Sequence, residues 1–211
     1  MSFQSENYLH LGETMVKKFA ARNIDAFYCA TSAEAVKKVL ELIPENSSVT
    51  WGGSVTLSET GVLDAIKTGP YECIDRASAK TPEDARALYG KIVCADYFLT
   101  STNAFTADGE LVNIDGNGNR VACLITGPAH VLVVTGMNKL TKNVEEALNR
   151  IHNVASPPNC VRLKLKTPCA STGLCGECQS TDSICCQTVI TRRSRQPGRI
   201  TVIMVGETLG F

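Results

Sequence analysis

The first two-thirds of the chain alternates short apolar runs with amphipathic stretches. Residues 27–30 form an apolar run that ends at a turn, and residues 32–43 carry apolar side chains at helical spacing behind a Thr31 or Ser32 cap. The same alternation predicts further strands at 47–53, 71–75 and 97–102 and further helices at 58–69 and 81–95. Strands that alternate with helices predict an α/β fold, with a mostly parallel sheet covered by helices on both faces.

The pattern changes after residue 104, where turn signals separate short apolar runs. Asp108–Gly109 and residues 115–119 are such signals, and they predict a β-hairpin or a strand excursion. The remaining elements are expected to be a buried strand at 130–136, a capped helix at 143–155 and a terminal β-hairpin around 195–198. We therefore expect a single α/β domain over residues 1–211, with a cysteine-rich insert at 167–187.

Composition excludes several classes of protein. Lysine and arginine together number 21, and so do aspartate and glutamate, so no net charge attracts nucleic acid or an anionic membrane. The first twenty residues lack the apolar core of a signal peptide, and no apolar stretch is long enough to span a bilayer. We expect a cytoplasmic globular protein with no nucleic-acid partner and no membrane span.

The cysteine-rich insert is the strongest candidate for inorganic chemistry. Five of the ten cysteines lie between residues 169 and 186, in the spacing C-x5-C-x2-C-x6-C-C. Thiolates are soft ligands, and four of them can enclose a zinc ion or an iron–sulfur cluster. In a reducing compartment this crowding favours metal binding over disulfides, although a loop of free or paired thiols is the alternative.

The spacing also selects the ligands. The adjacent thiols of Cys185 and Cys186 would point in different directions in an extended segment, and Cys186 leads into an apolar run. The predicted metal ligands are therefore Cys169, Cys175, Cys178 and Cys185. The expected cofactor is an iron–sulfur cluster of the [4Fe–4S] type, with zinc as the alternative. The other cysteines are expected to be small buried hydrophobic residues: Cys29, Cys73, Cys94, Cys123 and Cys160.

Two polar loops are candidates for binding a small anion. The first contains Gly52, Gly53 and Ser54, and it lies between a strand and a helix, where open α/β sheets place ligands. Its N–H groups could approach a carboxylate or phosphate, although a tight turn would need the same glycines. The second loop has more polar groups than a turn requires, namely Asp115, Gly116, Asn117, Gly118, Asn119 and Arg120. Arg120 could form paired hydrogen bonds with the anion.

Two titratable residues follow the strands near these loops. Glu59 lies in the helix after the glycine loop, and Lys139 follows the strand that ends at Gly136. Either side chain could line the same cleft and transfer protons as a catalytic residue. An isolated lysine or glutamate is, however, commonly a surface charge, and this alternative stays open.

Several segments together resemble the lactate-utilization (LUD) domain family: SVTWGGSVTLSETGVLDAI, TSTNAFTADGELVNIDGNGNRVACLITGP, VTGMNKL, TPCASTGLCGECQSTDSICC and VGETLGF. The resemblance covers nearly the whole chain. It implies the fold shared by sugar-phosphate isomerases and CoA transferases, in which the two loops described above line the ligand site. By the same resemblance Asn103 joins the cleft candidates, whereas no acidic nucleophile of the CoA-transferase type can be identified.

The family also implies a function. Its members include a subunit of a bacterial lactate-oxidation complex, so the resemblance implies an accessory or electron-transfer role in hydroxy-acid oxidation. The implied partners are iron–sulfur and oxidoreductase subunits of such a complex, and the implied ligand is a small molecule bearing a carboxylate or phosphate. The alternatives are an enzyme acting on a small phosphorylated or carboxylated metabolite, with the cysteines holding structural zinc, and a regulatory or scaffold module.

Overall fold

The computed structural model describes residues 2–211 and contains two β-sheets with helices around them. The strands are β1 (Asp25–Cys29), β2 (Ser48–Trp51), β3 (Glu72–Ile74), β4 (Tyr97–Thr100), β5 (Ala104–Thr106), β6 (Leu111–Asp115), β7 (His130–Gly136), β8 (Leu140–Thr141), β9 (Gln187–Thr191) and β10 (Ile200–Val205). The helices are α1 (Phe3–Ala20), α2 (Ser32–Leu42), α3 (Val55–Glu59), α4 (Val62–Thr68), α5 (Pro82–Val93), α6 (Asn119–Ile125), α7 (Val144–Arg150), α8 (Ser156–Arg162) and α9 (Pro168–Thr172).

The larger sheet has six parallel strands in the order β1-β10-β7-β4-β2-β3. Successive residues of a strand point to opposite faces, and both faces of this sheet are buried. Phe98 of β4 packs into one apolar cluster, together with Phe19 of α1, whereas Leu99 packs into another, together with Leu57 of α3. The predicted α/β fold, a mostly parallel sheet covered on both faces, is therefore confirmed.

The smaller sheet has four strands in the order β8-β5-β6-β9. The expected hairpin is present, since β5 and β6 pair antiparallel around the turn at Gly109. The predicted terminal β-hairpin is wrong. β9 pairs with β6 in the small sheet, whereas β10 lies between β1 and β7 in the large sheet. All six residues of β10 are buried, and such a strand fits only the interior of a sheet.

Several helices differ from their predicted bounds. The helix expected at 58–69 is split into α3 and α4 at Gly61, whose φ of 77° is left-handed. The helix expected at 143–155 instead continues from α7 through a π-helical turn at Ile151–Ala155 into α8. The expected burial is wrong for Cys73 and Cys94, both of which are exposed.

The N-terminal helix α1 was not predicted from the hydrophobic pattern. Ser2 caps it by accepting a hydrogen bond from the Ser5 N–H at 3.1 Å. Its buried residues Gly12, Met15 and Phe19 lie on one face, which packs against β1. No helix among residues 2–211 combines the length and the apolar character needed to cross a membrane.

We predict that Phe19→Ala destabilises the protein by about 3–5 kcal/mol, because it leaves a cavity in the core. Phe19 is fully buried, and its ring lies 6.1 Å from that of Phe105, so it joins α1 to the small sheet. The matched control is Phe3→Ala in the same helix. Phe3 is 93% exposed, and its loss should change the free energy of unfolding by no more than about 0.5 kcal/mol. Chemical denaturation measures both, and equal effects would contradict the described packing.

Candidate functional site

The candidate site is a cavity of about 280 Å³ at the carboxyl edge of the large sheet. Strands β2, β4 and β7 are neighbours in that sheet and run parallel, so the segments that follow them meet at one edge. The small sheet and the helices after it close the other side. Most of the side chains that line the cavity are polar or charged. The lining residues include Gly53, Ser54, Thr56, Arg76, Ser101, Asn103, Asp115, Gly116, Asn117, Asn119, Arg120, Lys139, Arg162 and Phe211.

The glycine loop forms the wall after β2. Gly53 and Ser54 line the cavity, and the Ser54 hydroxyl caps α3 by accepting a hydrogen bond from the Leu57 N–H at 3.3 Å. Gly52 is buried beneath the cavity, where its N–H donates to the Leu99 carbonyl at 3.0 Å. A Cβ on Gly52 would stand 3.6 Å from the Arg120 side chain, which is an ordinary van der Waals contact, so the two loops face each other across the site.

The second loop holds Arg120 in a fixed position. Its Nε donates to Asp115 at 3.1 Å, and its Nη2 donates to the Asn103 side chain at 2.9 Å and to the Ile114 carbonyl at 2.6 Å. Within residues 2–211 the remaining nitrogen, Nη1, has no hydrogen-bond partner. Arg120 lines the cavity, so this nitrogen can serve a bound carboxylate or phosphate. Gly118 lies outside the wall and supplies the left-handed φ of 77° that starts α6.

Lys139 is buried, and its interpretation as a surface charge is therefore wrong. The residue is only 4% exposed, and it ends the 3₁₀ turn at Met137–Lys139 that follows β7. Its Nζ donates to the Thr56 hydroxyl at 2.9 Å and to the Ser101 hydroxyl at 3.3 Å. Burial first, and then the charges of Arg150 and Arg120, lower the pKa of Lys139 from 10.5 to about 7.

Glu59 lies outside the cavity wall. Its side chain is exposed, and its carboxylate accepts a hydrogen bond from the Gly210 N–H at 2.6 Å. Its negative charge raises the pKa of Lys139, but this effect is smaller than the lowering by burial and by the two arginines. In this structure Glu59 holds the segment that contains Phe211 against the site, and its role in proton transfer stays a prediction.

Reasoning from sequence missed several residues of the site. Ser101 and Thr56 supply the two hydroxyls that contact Lys139, and both follow strands of the large sheet. Arg150 lies behind the cavity, where it donates to the carbonyls of Asn103 and Phe211 at 2.8 and 3.3 Å. Burial lowers the pKa of Arg150. Ser101 and Thr56 could have been predicted only from their positions after the ends of strands. No sequence signal indicated Arg150.

The cysteine-rich segment packs against the same cavity. Ile184 lines the cavity, and a Cβ on Gly116 would stand 3.2 Å from the Ile184 Cα. The Cys186 N–H donates to the Asp115 carbonyl at 3.2 Å, directly before β9 pairs with β6. The segment is thereby joined to the loop that holds Arg120.

The predicted ligand thiols lie in one neighbourhood. Burial is the main cause that raises the pKa of Cys185, and the thiols of Cys175, Cys169 and Cys178 raise it further. Cys160 belongs to the same group, which was not expected from its apolar surroundings. Burial and a contact with Cys169 raise the pKa of Cys160 to about 11. His152 also lies here, with its Nδ1 3.7 Å from the Cys175 sulfur.

The side chains of this group do not form a metal site in the structure. Within residues 2–211 no three His, Cys, Asp or Glu side chains are arranged so that they could hold one metal ion. Four sulfurs around one zinc would lie about 3.8 Å apart, given a Zn–S distance of about 2.3 Å. Crowded thiols repel one another as thiolates, and bound cations remove that repulsion.

A model of one protein family, the LUD domain, matches residues 12–205. The chain belongs to the LUD domain family. Membership associates it with lactate utilization at a coarse level. No curated protein is similar enough in sequence to count as a relative.

Solved structures resemble this LUD domain in fold. A DUF162 family protein from Deinococcus radiodurans is 13% identical, with 97% of this chain and 99% of that chain covered and a TM-score of 0.55. Ribose 5-phosphate isomerase A from Neisseria gonorrhoeae is 14% identical over 55% of this chain and 56% of its own, with a TM-score of 0.35. The Plasmodium falciparum ribose 5-phosphate isomerase is 15% identical over 60% and 66%, with a TM-score of 0.33. The first similarity concerns the fold alone, and the two isomerases are too distant to support any argument.

We predict that Lys139→Met stabilises the protein at low pH. Each unit of pKa depression corresponds to about 1.4 kcal/mol, so the buried ammonium destabilises the folded state by a few kcal/mol. The unfolded lysine stays protonated up to about pH 10.5, whereas the folded one loses its proton near pH 7. The gain in Tm should therefore be largest below pH 7 and should vanish as the pH approaches 10.5. Exposed Lys142→Met is the control, and a pH-independent difference for Lys139→Met would contradict this assignment.

We also predict that Arg120→Gln removes most of the stabilisation that a small anion provides. Phosphate or lactate at a concentration of about ten times its Kd should stabilise the wild type by about 1.4 kcal/mol and raise its Tm by about 3–5 °C. The variant should show little shift, because it loses the guanidinium nitrogen that is free to bind the anion. Arg192→Gln, which alters a separate cavity, is the control. An undiminished shift in Arg120→Gln would place the anion elsewhere.

Proposed function

We propose that this LUD domain protein is an iron–sulfur component of hydroxy-acid oxidation, such as the oxidation of lactate, with an accessory or electron-transfer role. Family membership supports the lactate context, and the cleft supports a small anionic ligand. The proposed partners are iron–sulfur and oxidoreductase subunits of a lactate-oxidation complex. The observation that carries the proposal is that the cysteine group lies directly against the cleft.

The cleft is suited to an organic acid. Arg76, Arg120, Lys139 and Arg162 line it, and its one acidic lining residue, Asp115, is already paired with Arg120 at 3.1 Å. The positive excess favours an anion, and the free nitrogen of Arg120 can orient a carboxylate. With a volume of about 280 Å³ the cavity suits a small metabolite.

The cluster would be held by Cys169, Cys175, Cys178 and Cys185, and it would supply one-electron transfer beside the bound anion. Cys185 joins the cysteines to the cleft. Its sulfur lies 3.6 Å from the hydroxyl of Ser156, and the residues before each of the two, Ile184 and Ala155, line the cavity. The chain's own contribution is to hold the anion, to exclude water around Lys139 and to move a proton at its Nζ through the Thr56 and Ser101 hydroxyls.

A second candidate is an enzyme that acts on a small phosphorylated or carboxylated metabolite, with structural zinc on the cysteines. The buried Lys139, whose pKa lies near 7, favours it, because such a group is suited to acid–base catalysis at neutral pH. The family context of lactate utilization is what favours a redox-active cluster over this zinc site.

Anaerobic purification followed by iron, sulfide and zinc analysis tests the proposal. We expect roughly four irons and four sulfides per chain, with visible absorbance that bleaches on reduction. Cys175→Ser and Cys178→Ser should each abolish the iron content, because each removes one ligand. The matched control is Cys94→Ser, at an exposed thiol on another helix end, which should retain the iron.

Three outcomes would contradict the proposal. Colourless protein that contains zinc would support the second candidate instead. Protein that binds neither metal when prepared without oxygen, or whose iron survives both serine substitutions, would show that the cysteine group is not a cluster site.

A further inference from the structure

Lys139 is a buried amine that forms no ion pair. Its two hydrogen bonds go to the neutral hydroxyls of Thr56 and Ser101. None of the ion pairs within residues 2–211 includes Lys139. The carboxylate that raises the pKa of Lys139, Glu59, accepts a hydrogen bond from the Gly210 N–H instead. A buried lysine with a purely structural role would be expected to form an ion pair with a carboxylate.

The charges around Lys139 favour its neutral form. Arg120 from α6 and Arg150 from α7 both disfavour the ammonium, and Glu59 from α3 opposes them only weakly. Burial acts in the same direction and is the largest cause. A desolvated lysine beside other cations has a free lone pair at neutral pH, and this is the arrangement that activates lysine as a nucleophile.

The neighbouring groups match a particular electrophile. Arg120 lines the same cavity with one nitrogen free to bind a carboxylate. The Ser101 hydroxyl lies 3.3 Å from the Lys139 amine, and the Thr56 hydroxyl lies 2.9 Å from it. If the amine attacked a carbonyl carbon, either hydroxyl could pass a proton to the carbonyl oxygen, which could then leave as water. A molecule with a carboxylate next to a carbonyl suits this arrangement, because Arg120 can bind the carboxylate while the Lys139 amine faces the carbonyl carbon.

We propose that Lys139 binds a small 2-oxo acid covalently, as an imine at its carbonyl carbon, while Arg120 holds the carboxylate. The inference rests on the proposed function, because the oxidation of a 2-hydroxy acid produces a 2-oxo acid. Lys139 then acts as a nucleophile, which is a different role from proton transfer.

The chemical step balances without any further reagent. The Lys139 nitrogen attacks the carbonyl carbon, a C–N bond forms, and the oxygen takes a proton to give a carbinolamine. The C–O bond then breaks, the nitrogen loses its second proton, and the oxygen leaves as water. Nothing is oxidised or reduced, and hydrolysis reverses the step.

Reductive trapping tests the inference. The full-length protein is incubated with pyruvate and sodium borohydride, which adds hydride to the C=N bond and makes the adduct permanent. Peptide mass mapping of the wild type should place one adduct on Lys139. Lys139→Met and Lys139→Arg should both lose it, and the arginine variant keeps hydrogen-bond donors for the Thr56 and Ser101 hydroxyls. Lys142→Met, which alters an exposed lysine three residues along, should keep the adduct in full.

The pH dependence of trapping distinguishes Lys139 from a surface lysine. The neutral amine reacts, so the initial rate should rise with pH and reach half its maximum near pH 7, the pKa of Lys139. An exposed lysine should show this rise only near its ordinary pKa of about 10.4.

The outcomes separate this inference from the proposed function. Protein that binds iron and is stabilised by pyruvate, yet gives no adduct or gives adducts only on exposed lysines, would overturn the inference and leave the proposed function standing. Iron-free protein that gives the Lys139 adduct would support the inference, although the proposed function would then fail. An adduct that persists in both Lys139 variants would also overturn the inference.

Discussion

The parallel pairing of β2, β4 and β7 is the constraint on which the candidate site depends. Because the three strands are neighbours and run in one direction, their carboxyl ends meet at one edge. Thr56 and Lys139 lie 83 residues apart in the sequence, yet the hydroxyl of one accepts a hydrogen bond from the other. The sheet must remain paired for the lysine to stay buried, so stability and the chemistry of the site are connected.

The small sheet adds a second constraint. The hairpin of β5 and β6 leaves the large sheet after β4 and brings Arg120 over the strand ends, where Asn103 and Asp115 hold its guanidinium. β9 extends this sheet on the other side of β6. Because the cysteine segment leads directly into β9, the same pairing that supports Arg120 also fixes the thiols beside the cleft. The anion site and the proposed cluster therefore share one structural support.

Sequence patterns indicated most of the alternating strands and helices and the position of the two polar loops after strands. Glycine and asparagine residues after apolar runs mark strand ends, and parallel strands bring such ends together. The burial of Lys139 could not be predicted in this way, because a single lysine after a strand carries no signal of what covers it. Cys160 and His152 join the cysteine group only through the continuation of α7 into α8. The two last strands were misassigned because alternating patterns do not reveal which sheet a strand enters.

The central claim is that the cleft and the cysteine group form one site, and a spectroscopic titration tests it most directly. The electron paramagnetic resonance spectrum of the reduced, iron-loaded protein would be recorded with and without lactate at a concentration that saturates the thermal shift. A bound anion beside the cysteines changes the charge and hydrogen bonding around the cluster, so we predict altered g-values in the wild type and unaltered ones in Arg120→Gln. A spectrum that lactate leaves unchanged in the wild type, at proven saturation, would contradict the account.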